Sequence, residues 1–115
     1  MALILYHNPR CSKSRQTLAL LSERGVEPRI VEYMKTPPDA GTLKALAKRM
    51  GVTAREMMRA GEKEYRDLGL NDESLDDDAL FTAMADHPRL IQRPILDNGR
   101  QARIGRPPEN VLEIL

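Results

Sequence analysis

Tyr6-His7-Asn8-Pro9-Arg10-Cys11-Ser12-Lys13-Ser14-Arg15 holds the single cysteine of this 115-residue chain, between two segments of different periodicity. On one side, Ala2-Leu3-Ile4-Leu5-Tyr6 is short, continuous and apolar, which predicts a buried strand. On the other, Gln16-Thr17-Leu18-Ala19-Leu20-Leu21 predicts a helix that Gly25 can close in a left-handed cap. Asn8-Pro9 breaks the strand, because proline cannot donate to a sheet ladder. Cys11 is therefore expected in a strand-to-helix loop, at or just before the first helical turn. Unpaired amides and the positive helix end favour a thiolate there. Arg10, Lys13 and Arg15 add positive charge, and no acidic residue precedes Glu23. A lone cysteine is often a small buried hydrophobe. One set among Pro, Arg, Ser and Lys at a helix start reads as a reactive thiol.

The length suits a single domain, 1–115, with a real core. With 41% hydrophobic and 30% charged residues the composition is that of a soluble globular protein. No signal peptide or membrane span is expected, and a cytoplasmic protein follows as the expectation. One cysteine allows no internal disulfide, so a redox cycle would need a second thiol from another molecule. The net charge of +1 hides a division. Residues 62–86 are acidic (Glu62, Glu64, Asp67, Asp72, Glu73, Asp76, Asp77, Asp78, Asp86), whereas 89–106 carry Arg89, Arg93, Arg100, Arg103 and Arg106. Arginine, the side chain best shaped to grip a tetrahedral oxyanion, makes up 13 of the 18 basic residues. Many of these are solvated surface charges on any reading. Aromatics at 3% and the lack of a basic run interleaved with them argue against nucleic acid.

Further along, Arg29-Ile30-Val31-Glu32-Tyr33 predicts a second strand, giving the strand–helix–strand order of a right-handed parallel crossover. After Thr36-Pro37-Pro38-Asp39, Leu43, Leu46, Ala47 and Met50 recur at helical spacing up to Gly51. Thr53 and Glu56 match a capping box, opening a short helix with Met57 and Met58 as core and Arg59 at its C-terminus. Leu75 and Leu80 bracket a cap at Asp76 as a hydrophobic staple. Asp77 and Asp78 suit the first turn of that helix, a simpler account of the three aspartates than a metal site. His87-Pro88 closes it, and His87 has no partner suggesting a metal ligand. Pro94–Asp97 and Gln101–Ile104 flank Asn98-Gly99, a hairpin signal. A last helix is expected from about Asn110 to Leu115. The order β-α-β, helices, β-β-α is that of an α/β thioredoxin-like fold with a mixed sheet and a helical insertion at about 39–88.

These elements together resemble the glutaredoxin-linked arsenate reductase family over essentially the whole chain. The resemblance rests on Tyr6-His7-Asn8-Pro9 with Cys11, Ser14 and Arg15, on Tyr33 through Pro37-Pro38, and on Arg55 with Arg59. Leu68-Gly69-Leu70, His87-Pro88, Arg93-Pro94-Ile95, and Arg103 through Arg106-Pro107 with Glu109 complete it. It implies that Cys11 is the nucleophile, that Arg59, Arg93 and Arg106 hold the oxyanion, and that Pro94 is a cis-proline facing the cysteine. It also implies arsenate as substrate, glutathione as co-substrate and glutaredoxin as partner, with no bound cofactor, no metal and a monomeric chain. His7, Ser14 and Arg15 fall where they could support the thiol. His7 is equally open to reading as a strand-end residue that packs.

The chemistry agrees with the residue types. Arsenate is an anion that repels a thiolate, so arginines are needed to bind it and offset developing charge. The better-known reductases of that family carry small residues around the cysteine, typically Ala before and Gly-Thr after. Here Arg10 precedes it and Ser12-Lys13 follow. Three other readings compete. A glutathione-dependent thiol oxidoreductase of the same fold is suggested by Cys11-Ser12-Lys13-Ser14, and the three arginines count against it. A regulator of the Spx type usually has a second cysteine where Ser14 stands. A phosphatase-like arsenate reductase needs an arginine at position 17, which is Thr.

Overall fold

The computed structural model describes residues 3–115. Ala2, the first residue of the expected opening strand, lies outside the described residues. Strand β1 is Ile4–His7, one residue longer at its C-terminal end than the apolar run suggests. Helix α1 spans Ser12–Glu23, and Gly25 follows it with φ of +69°, as a left-handed cap requires. Strand β2 is Arg29–Glu32, and Tyr33 lies just beyond it rather than inside. Strands β3, Ile95–Asp97, and β4, Ala102–Ile104, form the expected hairpin. Its turn is stitched by Asn98, whose Oδ1 accepts from the amides of Arg100 and Gln101 while Nδ2 donates to the Ile114 carbonyl.

The sheet order is β2-β1-β3-β4, with β1 parallel to β2 and antiparallel to β3. This mixed α/β arrangement is the one anticipated. Leu5 and Leu96 face each other across β1 and β3 and are fully buried, in one cluster with Leu21, Val111 and Ile114. Strand β2 at the sheet edge is more open, with Arg29 and Ile30 exposed.

Contacts divide the chain into two compact units. One comprises the residues up to Thr36 with Arg93–Leu115, and the other is Pro37–Gln92. The segment expected as a helical insertion, 39–88, lies within the second. There α2, Ala40–Met50, packs on α4, Asp77–Asp86. Asp39 caps α2 by accepting from Thr42, and Asp76 caps α4 by accepting from Ala79. Buried Leu43, Leu46 and Ala47 lie on α2, and Leu80, Phe81 and Met84 on α4. A short helix α3, Lys63–Asp67, sits between them in sequence.

Two helical expectations need correction. Thr53 and Glu56 do form the reciprocal capping pair, but only a 3₁₀ turn, Arg55–Met57, follows it. Met58 leaves that turn extended and bridges Ile91, and the Arg59 amide donates to the Leu90 carbonyl at 2.7 Å. Arg59 is thus set by a strand-like bridge, not by a helix C-terminus, because pairing with the Leu90–Ile91 backbone competes successfully with a second helical turn. The last segment, Pro108–Ile114, is a 3₁₀ helix rather than an α-helix, and its buried Val111 and Ile114 explain why it is retained. The side chain of Arg55, part of the resemblance, donates to the carbonyls of Leu70 and Asp72 and secures the loop after α3.

Gly105 marks the tightest approach in the first unit. Its amide donates to the Pro94 carbonyl at 2.9 Å. A Cβ there would lie 2.6 Å from Thr17 Oγ1 and 2.9 Å from Pro94 Cγ. Neither neighbour yields easily, since Thr17 bonds the Lys13 carbonyl and the proline ring is rigid. Gly105→Ala should therefore destabilise the fold by about 1–3 kcal/mol, as overpacked sites do. Urea unfolding checks this, and a midpoint equal to that of the parent would refute the packing argument.

Candidate active site

The sheet register assembles the site. His7 pairs with Glu32, Tyr6 with Ile95, and Ile95 with Ile104. The segments just past these pairs must then emerge on one side of the sheet. They are Asn8–Cys11 after β1, Tyr33 after β2, Arg93-Pro94 before β3, and Gly105-Arg106 after β4. Within the first loop, the Asn8 carbonyl accepts from the Cys11 amide, Asn8 Oδ1 accepts from the Arg10 amide, and Arg15 donates to the Pro9 carbonyl. Arg15 is thereby a clasp on the loop.

Cys11 is the N-cap residue of α1, in extended conformation, and is 9% exposed. The backbone amides of Ser14 and Lys13 face its sulfur, and so does the Arg93 guanidinium. Arg106 Nη2 comes to 3.9 Å from Sγ. Burial alone pushes the thiol up. The Ser14 amide, the Arg93 side chain and the Lys13 amide outweigh it, and the net shift is downward. The direction is the one expected, and so is the part played by the amides of the first helical turn; the charged side chain is not the one expected. The charged side chain that lowers the thiol is Arg93, distant in sequence, while Lys13 contributes through its amide. Arg10 is exposed, where water screens its charge.

His7 is buried, and its Nδ1 lies 2.6 Å from Ser14 Oγ, which also accepts from the Asn8 amide at 3.0 Å. Burial lowers the His7 pKa, Glu32 opposes this, and Arg15 adds to it. A neutral imidazole accepting from the Ser14 hydroxyl satisfies both groups. His7 and Ser14 together pin the start of α1 to the end of β1, which fixes the amides that face the sulfur.

Arg106 is exposed, and its Nε donates to the Arg93 carbonyl at 3.0 Å. Arg93 is half-buried, with Cys11 and Tyr33 facing its guanidinium and raising its pKa against the lowering effect of burial. The Arg93–Pro94 bond is cis, as the resemblance implies, and so is Arg106–Pro107, which sequence reasoning did not anticipate. Cys11, Arg93, Arg106, His7, Ser14, Arg15 and Pro94 are thus brought together in one unit. Arg59 belongs to the Pro37–Gln92 unit, where it pairs with Glu62 at 2.8 Å. Sequence reasoning gave Tyr33 no role. The signal was available, since the residue after a strand parallel to β1 must emerge beside the cysteine loop.

Among the described residues no cluster of His, Cys, Asp and Glu could hold a metal ion, and no helix is long and apolar enough to cross a membrane. The chain matches the model of the ArsC family over residues 6–114. It is 57% identical over 112 residues to the Escherichia coli K12 protein YfgD, covering 96% of this chain and 94% of that one. It is 48% identical to the arsenate reductase of Neisseria meningitidis Z2491, with 96% of each chain covered. Its structure superposes on the arsenate reductase from Vibrio cholerae with a TM-score of 0.97 at 53% identity, over 100% of this chain and 98% of the other.

The lowered thiol has two measurable consequences. The iodoacetamide alkylation rate should rise with pH at a midpoint below the free-thiol value of about 8.5. Arg93→Ala should move that midpoint up and Arg10→Ala should leave it in place; the reverse ranking would refute the account of the site. A folded-state pKa below the unfolded one adds stability that is present above the unfolded value and is lost as pH falls through the folded value. Relative to Cys11→Ser, the parent should therefore gain in Tm as pH rises across that interval.

Proposed function

Because the chain belongs to the ArsC family, we propose that it reduces arsenate to arsenite, with Cys11 as nucleophile and with glutathione and glutaredoxin as external reductants. The observation that carries this reading is the placement of a pKa-lowered thiol under two arginines, one facing it and one at 3.9 Å. A thiolate needs such cations to approach an anion, and the developing charge needs them at the moment of attack. Arg93 and Arg106 hold the oxyanion, and the resemblance extends that role to Arg59.

In the proposed sequence the Cys11 thiolate attacks arsenic, forming an S–As bond as an arsenate oxygen leaves as water. Glutathione then attacks the Cys11 sulfur, the S–As electron pair passes to arsenic, and arsenite departs. The sum is one thiolate, one glutathione and one arsenate giving a Cys11–glutathione disulfide, arsenite and water. Glutaredoxin exchanges into that disulfide and frees Cys11. A chain with one cysteine fits this route, since the resolving thiols come from outside in a reducing cytoplasm. All groups assigned to the chemistry lie on one chain, so a monomer suffices.

Consumption of NADPH coupled through glutaredoxin and glutathione tests the proposal directly. It should require arsenate and Cys11. Turnover of a small disulfide such as hydroxyethyl disulfide, with none of arsenate, would overturn the reading in favour of a thiol oxidoreductase of the same fold.

The arginines should separate into two groups. A charged hydrogen bond is worth about 1.5–3 kcal/mol, so Arg59→Ala, Arg93→Ala and Arg106→Ala should each lower kcat/KM by roughly 10- to 150-fold. Arg93→Lys should restore only part of the loss, because an ammonium lacks the paired geometry. Arg24, Arg66 and Arg89 are exposed, and their alanine variants should stay within about twofold of the parent. Equal losses in both groups would mean that general positive charge, not a defined clamp, attracts the anion.

A further inference from the structure

Two buried polar atoms in the first unit have no hydrogen-bond partner, the Tyr33 hydroxyl and Arg93 Nε. Tyr33 is 1% exposed, and its hydroxyl faces both the Arg93 guanidinium and the Asn8 side chain without forming a full hydrogen bond to either. A buried, unpaired donor or acceptor costs stability, so two of them side by side next to a nucleophile demand a reason. Arg93 Nε–H points away from the terminal nitrogens of its own guanidinium and needs an acceptor. Of the two groups facing Arg93, the Cys11 sulfur is the nucleophile and must stay available, which leaves the phenol oxygen.

We infer that Tyr33 is a positioning residue for Arg93: its hydroxyl is the acceptor to which the Arg93 Nε–H closes when the guanidinium takes up an oxyanion. The closed bond holds the guanidinium plane so that its terminal nitrogens address the anion and the sulfur. The tyrosine O–H can then donate to the Asn8 side chain, which belongs to the cysteine loop. Asn8, Tyr33 and Arg93 so form a bridge linking the segments after β1, after β2 and before β3. Burial raises the Tyr33 pKa, Arg93 and Asn8 oppose it, and the net upward shift keeps the phenol protonated and able to donate. The inference rests on the reading of Arg93 as an oxyanion ligand.

Tyr33→Phe in the full chain removes only the oxygen. Three readouts follow: the Cys11 alkylation midpoint against pH, the protection of Cys11 from iodoacetamide by sodium arsenate, and Tm. The half-protecting arsenate concentration should rise by about tenfold, the worth of one modest hydrogen bond. The alkylation midpoint of the anion-free protein should stay in place, because the hydroxyl closes on Arg93 only when an oxyanion is taken up. Tm should not fall, because the lost hydroxyl is unpaired at rest. In an Arg93→Ala background, adding Tyr33→Phe should change neither midpoint nor protection, as expected of a group that acts only through Arg93. A lowered Tm with protection unchanged would make Tyr33 a packing residue and overturn the inference, as would effects that persist without Arg93 or a midpoint that moves without arsenate. If arsenate fails to protect the parent, the oxyanion reading fails. The inference then falls with it, whereas protection of the parent that Tyr33→Phe leaves unchanged overturns the inference alone.

Discussion

Leu5 sits at the centre of β1, paired with Ile30 of β2 in parallel and with Leu96 of β3 in antiparallel register, and most of the first unit depends on that double pairing. Side chains alternate along a strand, so a slip of one residue would turn Leu5 and Leu96 out of the cluster they share with Leu21, Val111 and Ile114. Full burial of each such side chain is worth about 1.5–3 kcal/mol, enough to hold the register against its neighbours. The same register brings the loop after β1, the residue after β2, the residues before β3 and those after β4 to one side of the sheet. Core packing and site assembly are therefore one constraint.

Electrostatics at the sulfur follows from what faces it. Amides at the start of α1 are fixed donors, held by the His7–Ser14–Asn8 hydrogen bonds. Arg93 is half-buried, where a charge acts through less water and is worth more than at the open surface. These groups exceed the opposing effect of burial on the thiol. The basic residues adjacent in sequence count for less, because Arg10 is solvated and Arg15 is occupied with the Pro9 carbonyl.

The two arginines near Cys11 have different mountings. Arg106 is exposed and braced through Nε on the Arg93 carbonyl, so the backbone of one arginine supports the side chain of the other. Arg93 faces Cys11 and Tyr33 and lacks an Nε partner at rest. Their chain neighbours Pro94 and Gly105 pack together with Thr17 so closely that a single methyl group on Gly105 would disturb the segments carrying both arginines. Precision at the sulfur thus depends on apolar and small residues as much as on charge.

Local chemistry made much of this protein legible from its sequence. The β1–α1 junction, the caps at Asp39 and Asp76, the Gly25 and Gly51 helix ends and the hairpin at Asn98-Gly99 are all set by residues within a few positions of each other. The placement of Cys11 at a helix start follows from the same short-range rules. Other features depended on partners distant in the chain. Arg59 leaves a 3₁₀ turn because Leu90 and Ile91 offer backbone pairing, and the last segment stays 3₁₀ around Val111 and Ile114. Tyr33 owes its position to the parallel pairing of β2 with β1, and besides the local Ser14 amide it is an arginine 82 positions away in sequence that lowers the pKa of the sulfur. Spacing along the chain fixes which residues cap, turn and alternate. Which charge faces which sulfur is decided only when strands from both ends of the chain share one sheet.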